Sequence, residues 1–308
     1  MRIVIVGLGV QGYKRRRFAG VDCIGSVDPL NPEAEYRRLS DVALGSYDAA
    51  LCCVPDGPKI EMLNYLAENG KHALVEKPLW AADDRQIEQL QGLARRKGVI
   101  CYTAYNHRFE PHYIRMRDLL TSGALGRIYR CRMFYGNGTA RLVRESGWRD
   151  HGSGVLHDLG SHLLDTAQFW FGDLGENFSV YASNRFENKA PDHVVFGSET
   201  THPRLEFEVT LLSWRNHFTC DLFAEHGTAH IESLCKWGPT HFIKRIRVLP
   251  SGRPPEEAVT LVQDDPTWAA EYAHFKRLCQ SGAQTDLATD IGLNRLLRQL
   301  GAVAEEKA

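Results

Sequence analysis

The feature that most constrains this chain is a glycine pattern close to its first residue. An apolar, β-branched run at 3–6 leads directly into Gly7-x-Gly9-x-x-Gly12. This order fits a buried parallel strand, a tight turn and a helix whose N-terminus receives a pyrophosphate. The next β-like run ends at Asp28, 21 residues after Gly7. An acid at about 20 residues accepts a hydrogen bond from a ribose hydroxyl, so the pattern predicts a dinucleotide-binding unit.

Charged residues near this turn bear on which dinucleotide binds. The carboxylate of Asp28 would repel a 2′-phosphate and therefore favours NAD, whereas Arg37 and Arg38 leave NADP open. The cationic run at 14–17 is expected to be a solvated helix face, with an extra phosphate contact as the alternative. NAD is therefore the predicted cofactor, with NADP as the alternative.

Length and composition narrow the class of protein. The 308 residues suggest two domains at about 150 residues each. With 37 basic and 38 acidic residues the net charge is −1, which argues against a general nucleic-acid binder. No apolar stretch approaches the roughly 20 residues of a membrane span, and the first residues lack the layout of a signal peptide. The eight cysteines include no Cys-x-x-Cys pair, which indicates reduced thiols in a cytoplasmic protein.

Strand and helix signals alternate over the first third of the chain, which favours an α/β, doubly wound parallel sheet. After about 126 the sequence becomes rich in strands, with a loop expected at 136–154 and helices at 156–171, 267–280 and 290–305. We therefore expect an N-terminal Rossmann domain at 1–121. An α+β domain with a mostly antiparallel sheet is expected at 122–308, its C-terminal helix packing back on the first domain.

A lysine at a strand end is the first candidate for chemistry. Glu76-Lys77-Pro78 follows a strand-like run, and ligands of open parallel sheets bind beyond the carboxyl ends of the strands. Lys77 could donate to a substrate oxygen and stabilise charge that develops there. The proline also permits a cis peptide bond. The alternative is a solvated lysine without a function.

A helix further along carries the second candidate. Asp158, His162 and Asp165 are spaced i, i+4 and i+7, which places them along one helix face. A neutral histidine suits the removal of a proton from an alcohol near pH 7, and a carboxylate one turn earlier can orient it. The alternative is an amphipathic helix with a buried core histidine.

Together these motifs resemble the glucose–fructose oxidoreductase, inositol dehydrogenase and rhizopine-catabolism (Gfo/Idh/MocA) family. The resemblance covers almost the whole chain and implies a Rossmann domain followed by a larger open-sheet domain, which often mediates dimers or tetramers. The motifs that carry it are Gly7-x-Gly9-x-x-Gly12, Glu76-Lys77-Pro78, Tyr105-Asn106-His107-Arg108-Phe109, Asp158-x-x-x-His162 and Glu271-Tyr272-Ala273-His274-Phe275.

The resemblance implies an NAD(P)-dependent dehydrogenase that acts on a secondary hydroxyl of a sugar, sugar nucleotide or cyclitol. His162 is the implied base, Lys77 stabilises the alkoxide, and Asp158 orients both substrate and base. Expected cofactor contacts lie at Gly7, Gly9, Val10, Gln11, Gly12, Asp28, Pro55, Glu76 and Lys77. Expected substrate contacts lie at Asn106, His107, Arg108, Tyr135, Trp148, Arg149, Asp158 and His162, with Asn137 as a weaker candidate.

Other expectations concern partners and rival functions. We expect a small sugar-like substrate, a homodimer or homotetramer, and no nucleic-acid or membrane partner. We also expect no metal, because His112, His151 and His157 lack metal-ligand spacing. One rival is a glycoside hydrolase that oxidises and re-reduces its substrate on a tightly held NAD. Another is a non-catalytic NAD sensor, although a sensor needs no alcohol base. The dehydrogenase hypothesis requires Lys77 and His162 to converge on one substrate carbon.

Overall fold

The computed structural model describes residues 1–147, 149–199 and 203–308. Its helices are α1 (Val10–Ala19), α2 (Lys59–Glu68), α3 (Asp84–Lys97), α4 (Pro111–Thr121), α5 (Ala140–Arg144), α6 (Ser161–Phe171), α7 (Thr267–Gln280) and α8 (Ala288–Lys307). Its strands are β1 (Ile3–Val6), β2 (Cys23–Val27), β3 (Ala49–Cys52), β4 (His72–Glu76), β5 (Cys101–Ala104), β6 (Ile128–Gly136), β7 (Phe178–Asn184), β8 (His193–Ser198), β9 (Arg204–Thr210), β10 (His217–Ala224), β11 (Gly227–Glu232), β12 (Thr240–Ile246) and β13 (Glu256–Leu261).

The described chain divides into two compact units. Unit 1 comprises Met1–Asn106 and Thr267–Asn294, and unit 2 comprises His107–Pro266 and Arg295–Ala308. The domain boundary predicted from the sequence lies after residue 121. The division in the structure falls earlier because α4 packs on α6, where the ring centroids of Tyr113 and Trp170 lie 5.1 Å apart. Helix α7 joins unit 1 because it packs on α1.

Unit 1 is built on a parallel sheet with the strand order β2-β1-β3-β4-β5. Strand β1 is buried on both faces: Val4 and Val6 pack toward α2 and α3, while Ile3 and Ile5 pack toward α1 and α7. A strand covered on both sides by helices needs a continuous apolar run, as its sequence has. The predicted Rossmann sheet is therefore confirmed.

Unit 2 is built on a sheet with the order β13-β12-β11-β10-β6-β9-β8-β7. Neighbouring strands are antiparallel except β6 and β9, which are parallel. This confirms the predicted mostly antiparallel sheet. The prediction missed α5, which lies in the expected loop. It also missed β13, a largely exposed edge strand without the apolar alternation of a half-buried strand.

The helix that carries Asp158 and His162 begins as a π-helical turn, Leu156–Gly160, and continues into α6. A π turn is wider than an α turn, so it shifts the phase of the side chains that follow it. The whole segment covers the predicted range 156–171. Its apolar side chains, among them Leu163 and Leu164, are fully buried. The segment therefore holds its polar side chains on a fixed support.

Among the helices of residues 1–147, 149–199 and 203–308, none combines enough length with enough apolar character to cross a bilayer.

Candidate dinucleotide and active sites

The glycine turn of unit 1 has the close packing that its sequence predicts. Gly7 has a φ of +87°, and a Cβ there would lie 2.3 Å from the Cys53 carbonyl oxygen. A Cβ at Gly12 would lie 2.0 Å from the Gly7 carbonyl oxygen. At Gly9, by contrast, a Cβ would meet no described atom within 4 Å. Two glycines therefore bring helix and strand together, and the third leaves open space at the start of α1, which fits a diphosphate.

Residues beside this opening include further predicted cofactor contacts. Gly9 precedes α1 as its N-cap, and no side-chain cap bonds to the helix start. Val10 is 75% exposed, although it is apolar, and Gln11 is also exposed. Pro55 is exposed in the loop that follows β3. These positions leave backbone and side chains accessible to a ligand.

Asp28 at the end of β2 fixes the turn through its carboxylate. One oxygen accepts from the Leu8 N–H at 2.8 Å, and the other accepts from the N–H groups of Leu30 and Asn31, each at 2.8 Å. Burial by itself raises the pKa of Asp28, but these three donors lower it below its ordinary value. A carboxylate offers about four acceptor positions. The three bonds therefore leave acceptor capacity for a ribose hydroxyl.

Arg15 in α1 differs from the solvated or phosphate-binding cation that the sequence suggests. Its guanidinium is 2% exposed, with Nε 2.7 Å from Glu76 and Nη1 2.6 Å from Glu271. The ring centroid of Trp268 lies 4.3 Å from its guanidinium carbon. Burial lowers the pKa of Arg15, but the two carboxylates more than offset this and raise it. The prediction for Arg15 was wrong because its partners are distant in sequence.

Lys77 follows this ion-pair cluster directly. It is half-buried at the carboxyl end of β4, and the Lys77–Pro78 peptide bond is cis, as the sequence permits. The next carbonyl, that of Pro78, accepts a 2.8 Å hydrogen bond from Lys59, whose Nζ also lies 2.8 Å from Asp56. Burial lowers the pKa of Lys59, although Asp56 raises it. Both neighbours of Lys77 are therefore held, Glu76 through its carboxylate by Arg15 and Pro78 through its carbonyl by Lys59.

Asn106 lies in unit 1 as well, at the end of the segment after β5. Its side-chain amide donates a 2.7 Å hydrogen bond to the Thr267 hydroxyl at the start of α7. Both residues are buried. This contact ties β5 to α7, and the predicted substrate contact of Asn106 stays a prediction.

In unit 2 the His162 ring stacks on a second predicted residue, His107. The ring centroids lie 4.1 Å apart with an interplanar angle of 20°. His162 is 8% exposed and His107 is 1% exposed. The Tyr135 ring centroid lies 5.9 Å from His162 and 5.7 Å from His107. The structure therefore brings three of the predicted substrate residues into one cluster.

Two carboxylates of the same helix pair with arginines. Asp158 accepts a 3.1 Å hydrogen bond from Arg149, another predicted substrate residue, and both side chains are about one-third exposed. Asp165 is 1% exposed and forms a bidentate ion pair with Arg108. Burial raises the pKa of Asp165, although Arg108 counteracts this. Arg108 is therefore held by Asp165 in this region, and its predicted substrate contact stays a prediction.

Lys236 and Glu110 belong to the same region, although the sequence did not predict a role for either of them. Lys236 Nζ lies 3.2 Å from His107 Nε2 and 3.2 Å from the Tyr135 hydroxyl. Glu110 is 2% exposed and accepts a 3.3 Å hydrogen bond from the Cys235 N–H. Burial raises the pKa of Glu110 to about 7. Neither residue belongs to a recognisable motif. The only local sign is that Lys236 stands between Cys235 and Trp237, two residue types that are often buried.

The remaining predictions have mixed outcomes. Trp148 lies outside the described residues. Asn137 accepts hydrogen bonds from the backbone and hydroxyl of Thr139, which is a local turn contact. His112 contacts the Thr240 carbonyl at 3.2 Å. The expected absence of a metal stays a prediction.

Two models of one family, for its N-terminal and its C-terminal domain, match successive parts of the chain. Residues 1–105 match the family described as "Oxidoreductase family, NAD-binding Rossmann fold", and residues 113–230 match the "GFO/IDH/MocA C-terminal domain". These matches confirm the resemblance read from the motifs. They also confirm the predicted cofactor class, a nicotinamide dinucleotide.

Curated relatives are similar over part of their length. The chain is 27% identical to scyllo-inositol 2-dehydrogenase (NAD(+)) of Bacillus subtilis over 61% of this chain and 58% of that protein. It is 25% identical to the rhizopine catabolism protein MocA of Rhizobium meliloti over 59% of this chain and 61% of that protein. The chain spans 37% to 58% of the length of the first three curated relatives that it matches.

Solved structures share the fold over the full chain. Levoglucosan dehydrogenase in complex with NADH has a TM-score of 0.82 at 16% identity, with 100% of this chain and 97% of that chain covered. UDP-N-acetylglucosamine 3-dehydrogenase of Acidithiobacillus ferrooxidans has a TM-score of 0.81 at 16% identity, with 99% and 98% covered. At this identity the likeness establishes the fold alone.

Proposed function

Because the chain belongs to the GFO/IDH/MocA oxidoreductase family, we propose that it is an NAD-dependent dehydrogenase. The enzyme oxidises a secondary hydroxyl group of its substrate, which is a sugar, a sugar nucleotide or a cyclitol. One observation carries this proposal: a buried imidazole, His162, lies on a rigid helix against a second imidazole, one turn after Asp158. A positioned histidine is the group that an alcohol oxidation needs as its base.

The cofactor would be held by unit 1. The open space at Gly9 fits the diphosphate at the start of α1, and Asp28 fits a ribose hydroxyl. When bound, a nicotinamide ring supplies the acceptor for the hydride that leaves the substrate carbon. The protein supplies position and charge around that carbon.

The proposed roles follow from the chemistry of the side chains. His162 removes the hydroxyl proton, and Lys77 donates a hydrogen bond to the oxygen as negative charge develops on it. Asp158 and Arg149 are paired with each other, so we assign them to hydroxyl groups that fix the orientation of the ring. The rings of Tyr135 and His107 pack against His162. These assignments draw on the motif resemblance as well as on the geometry.

The substrate class rests on the relatives named above. The curated relatives include an enzyme named for scyllo-inositol, and the solved structures include enzymes named for levoglucosan and a nucleotide sugar. All three names describe compounds with several secondary hydroxyl groups. A polyhydroxylated ring is therefore the class that we assign to this chain.

The experiment that tests this function is a panel of inositols, sugars and sugar nucleotides incubated with NAD and read at the absorbance of NADH. We expect at least one compound to reduce NAD, and we expect Lys77→Met to abolish that signal while NAD still binds. Lys97→Met, an exposed lysine in the last turn of α3, is the matched control. NAD binding without reduction by any compound would contradict the proposal, and release of free sugar without NADH would favour the glycoside hydrolase.

A further inference from the structure

Lys236 is a cation beside the histidine stack that no motif of the sequence includes. It lies in a short 3-10 turn, Cys235–Trp237, between β11 and β12. Its Nζ lies 3.2 Å from His107 Nε2, 3.2 Å from the Tyr135 hydroxyl and 4.6 Å from the Trp237 ring centroid. The lysine therefore contacts His107 of the stack directly.

The direction of the Lys236–His107 hydrogen bond follows from the chemistry of the two groups. An ammonium group has three donors and no acceptor, so His107 Nε2 must accept. An imidazole nitrogen that accepts carries a lone pair and no proton. His107 is therefore neutral while Lys236 is charged, and its own proton is on Nδ1.

The stack then determines where a further proton can go. Two imidazolium rings 4.1 Å apart would repel each other strongly in a buried place. One ring of the pair can accept a proton, and Lys236 occupies the position at which His107 would take it. The other ring, His162, is the one assigned as the base.

We propose that Lys236 is a positioning residue that keeps His107 neutral and so reserves proton uptake for His162. This inference rests on the proposed function, because it concerns the base of that reaction. Lys236 also disfavours the charged form of His162 by simple repulsion, so that His162 stays an unprotonated base at neutral pH.

Other ionisable groups face the stack from every neighbouring element. Glu110 precedes α4, Asp265 precedes α7, and Asp158 lies on the same helix segment as His162; all three attract the charge of Lys236. Burial lowers the pKa of Lys236 against this attraction. Tyr113 contacts His107 edge-on, with ring centroids 6.0 Å apart. The paired charges of Arg108 and Asp165 lie on adjacent turns. These groups remain in place in a Lys236 variant, but Glu110, whose pKa burial raises to about 7, titrates in the same range as a histidine. The effect of Lys236→Met on His162 is therefore measured in the Glu110→Gln background as well, where it should persist.

The test is the titration of His162 in Lys236→Met, followed by NMR on the full chain. The ring signal of His162 is identified as the one that His162→Gln removes, and that of His107 by His107→Gln. We expect His162 to titrate about one pH unit higher in Lys236→Met than in the wild type, and His107 to begin to titrate. Lys236→Gln repeats the test if the methionine variant folds poorly.

Two controls separate charge from structure. Lys236→Arg keeps the cation and should leave the His162 titration within about 0.3 pH units of the wild type. Lys244→Met removes another partly buried lysine of unit 2, one that faces Glu257 at 3.9 Å, and should have no effect. Where a substrate is in hand, the ascending limb of kcat/KM against pH should move with the His162 titration.

An unchanged or lower His162 titration in both neutral Lys236 variants would overturn the inference, as would an equal shift in Lys236→Arg. The NMR titration needs no turnover. Failure of the proposed dehydrogenase activity would therefore show in the substrate panel, and failure of the Lys236 inference in the titration.

Discussion

At the scale of single residues, the proposed chemistry depends most on His162, whose ring is almost fully buried. We predict that His162→Gln lowers kcat by about 10²–10⁴, because general base catalysis contributes that much. NAD affinity, measured by fluorescence titration, should stay within about twofold of the wild type. His157→Gln, on the preceding turn of the same segment, is the matched control. Near-normal turnover in His162→Gln would remove this residue from the mechanism.

Asp28 should decide which dinucleotide is preferred. We predict that kcat/KM is at least about tenfold higher with NAD than with NADP, because the Asp28 carboxylate repels a 2′-phosphate. Asp28→Ser should reduce that ratio about tenfold or more, whereas Asp41→Ser, at an exposed position of unit 1, should not. A wild-type preference for NADP would contradict the reading of Asp28, and thermal unfolding would check that the variant keeps its fold without the three backbone hydrogen bonds.

At the scale of elements, the junction of β1 and α1 separates two roles for glycine. Gly12→Ala places a Cβ 2.0 Å from the Gly7 carbonyl oxygen, whereas Gly9→Ala places one in open space. We predict that Gly12→Ala lowers the free energy of unfolding by about 1–3 kcal/mol. Gly9→Ala should keep its stability and weaken NAD binding. Equal stability of the two variants in urea unfolding would contradict this division.

Arg15 joins three elements of unit 1: α1, the end of β4, and α7. Arg15→Met would leave the carboxylates of Glu76 and Glu271 without their cation in a buried place, which typically costs about 3–5 kcal/mol. We expect a loss of stability of that order in urea unfolding. Arg17→Met, an exposed cation two residues away, should change stability by less than about 0.5 kcal/mol. Similar stability in both variants would show that the ion pairs contribute little.

Glu110, at the start of α4, gives unit 2 a distinct pH dependence. Burial raises its pKa from an ordinary 4.5 to about 7. Since the folded state binds this proton more tightly than the unfolded state, the contribution of Glu110 to stability is present below about pH 4.5 and is lost as the pH rises through 7.

Glu110→Gln should remove this loss, which amounts to at most about 3 kcal/mol. The variant should therefore gain stability relative to the wild type between pH 5 and pH 8, measured by urea unfolding at both values. Glu306→Gln, an exposed position in α8, should show no such gain. An equal difference between Glu110→Gln and the wild type at the two pH values would contradict the assignment.

At the scale of the whole molecule, the sequence predicted those helices and strands whose signals lie within short stretches of the chain. Strand β1 matches its predicted range because it is an uninterrupted apolar run that ends at Gly7. Helix α7 matches its range because its apolar residues recur with a helical period between Pro266 and Gly282. The helical segment that carries Asp158 and His162 was also predicted, because its pattern is local; the roles of these two residues stay a prediction. The dimer or tetramer and the cytoplasmic location stay predictions.

The rest depends on partners far apart in the chain. The two carboxylates that hold Arg15 lie 61 and 256 residues away, and the two ring partners of Lys236 lie 129 and 101 residues away. In the sequence, Arg15 is indistinguishable from the other cations of the run at 14–17, which is expected to be exposed. The residues next to Lys236 do not indicate that it belongs to a site. Such roles are set by tertiary packing, which local patterns do not encode.

The central claim is that the chain oxidises a ring hydroxyl with NAD and uses His162 as the base. The most direct test is the stoichiometry of a reaction with an active compound from the panel, with ketone and NADH quantified together. We predict one ketone for each NADH, and a loss of both products in parallel in His162→Gln. A cleaved product without net NADH, or equal yields from wild type and variant at equal times, would contradict the account.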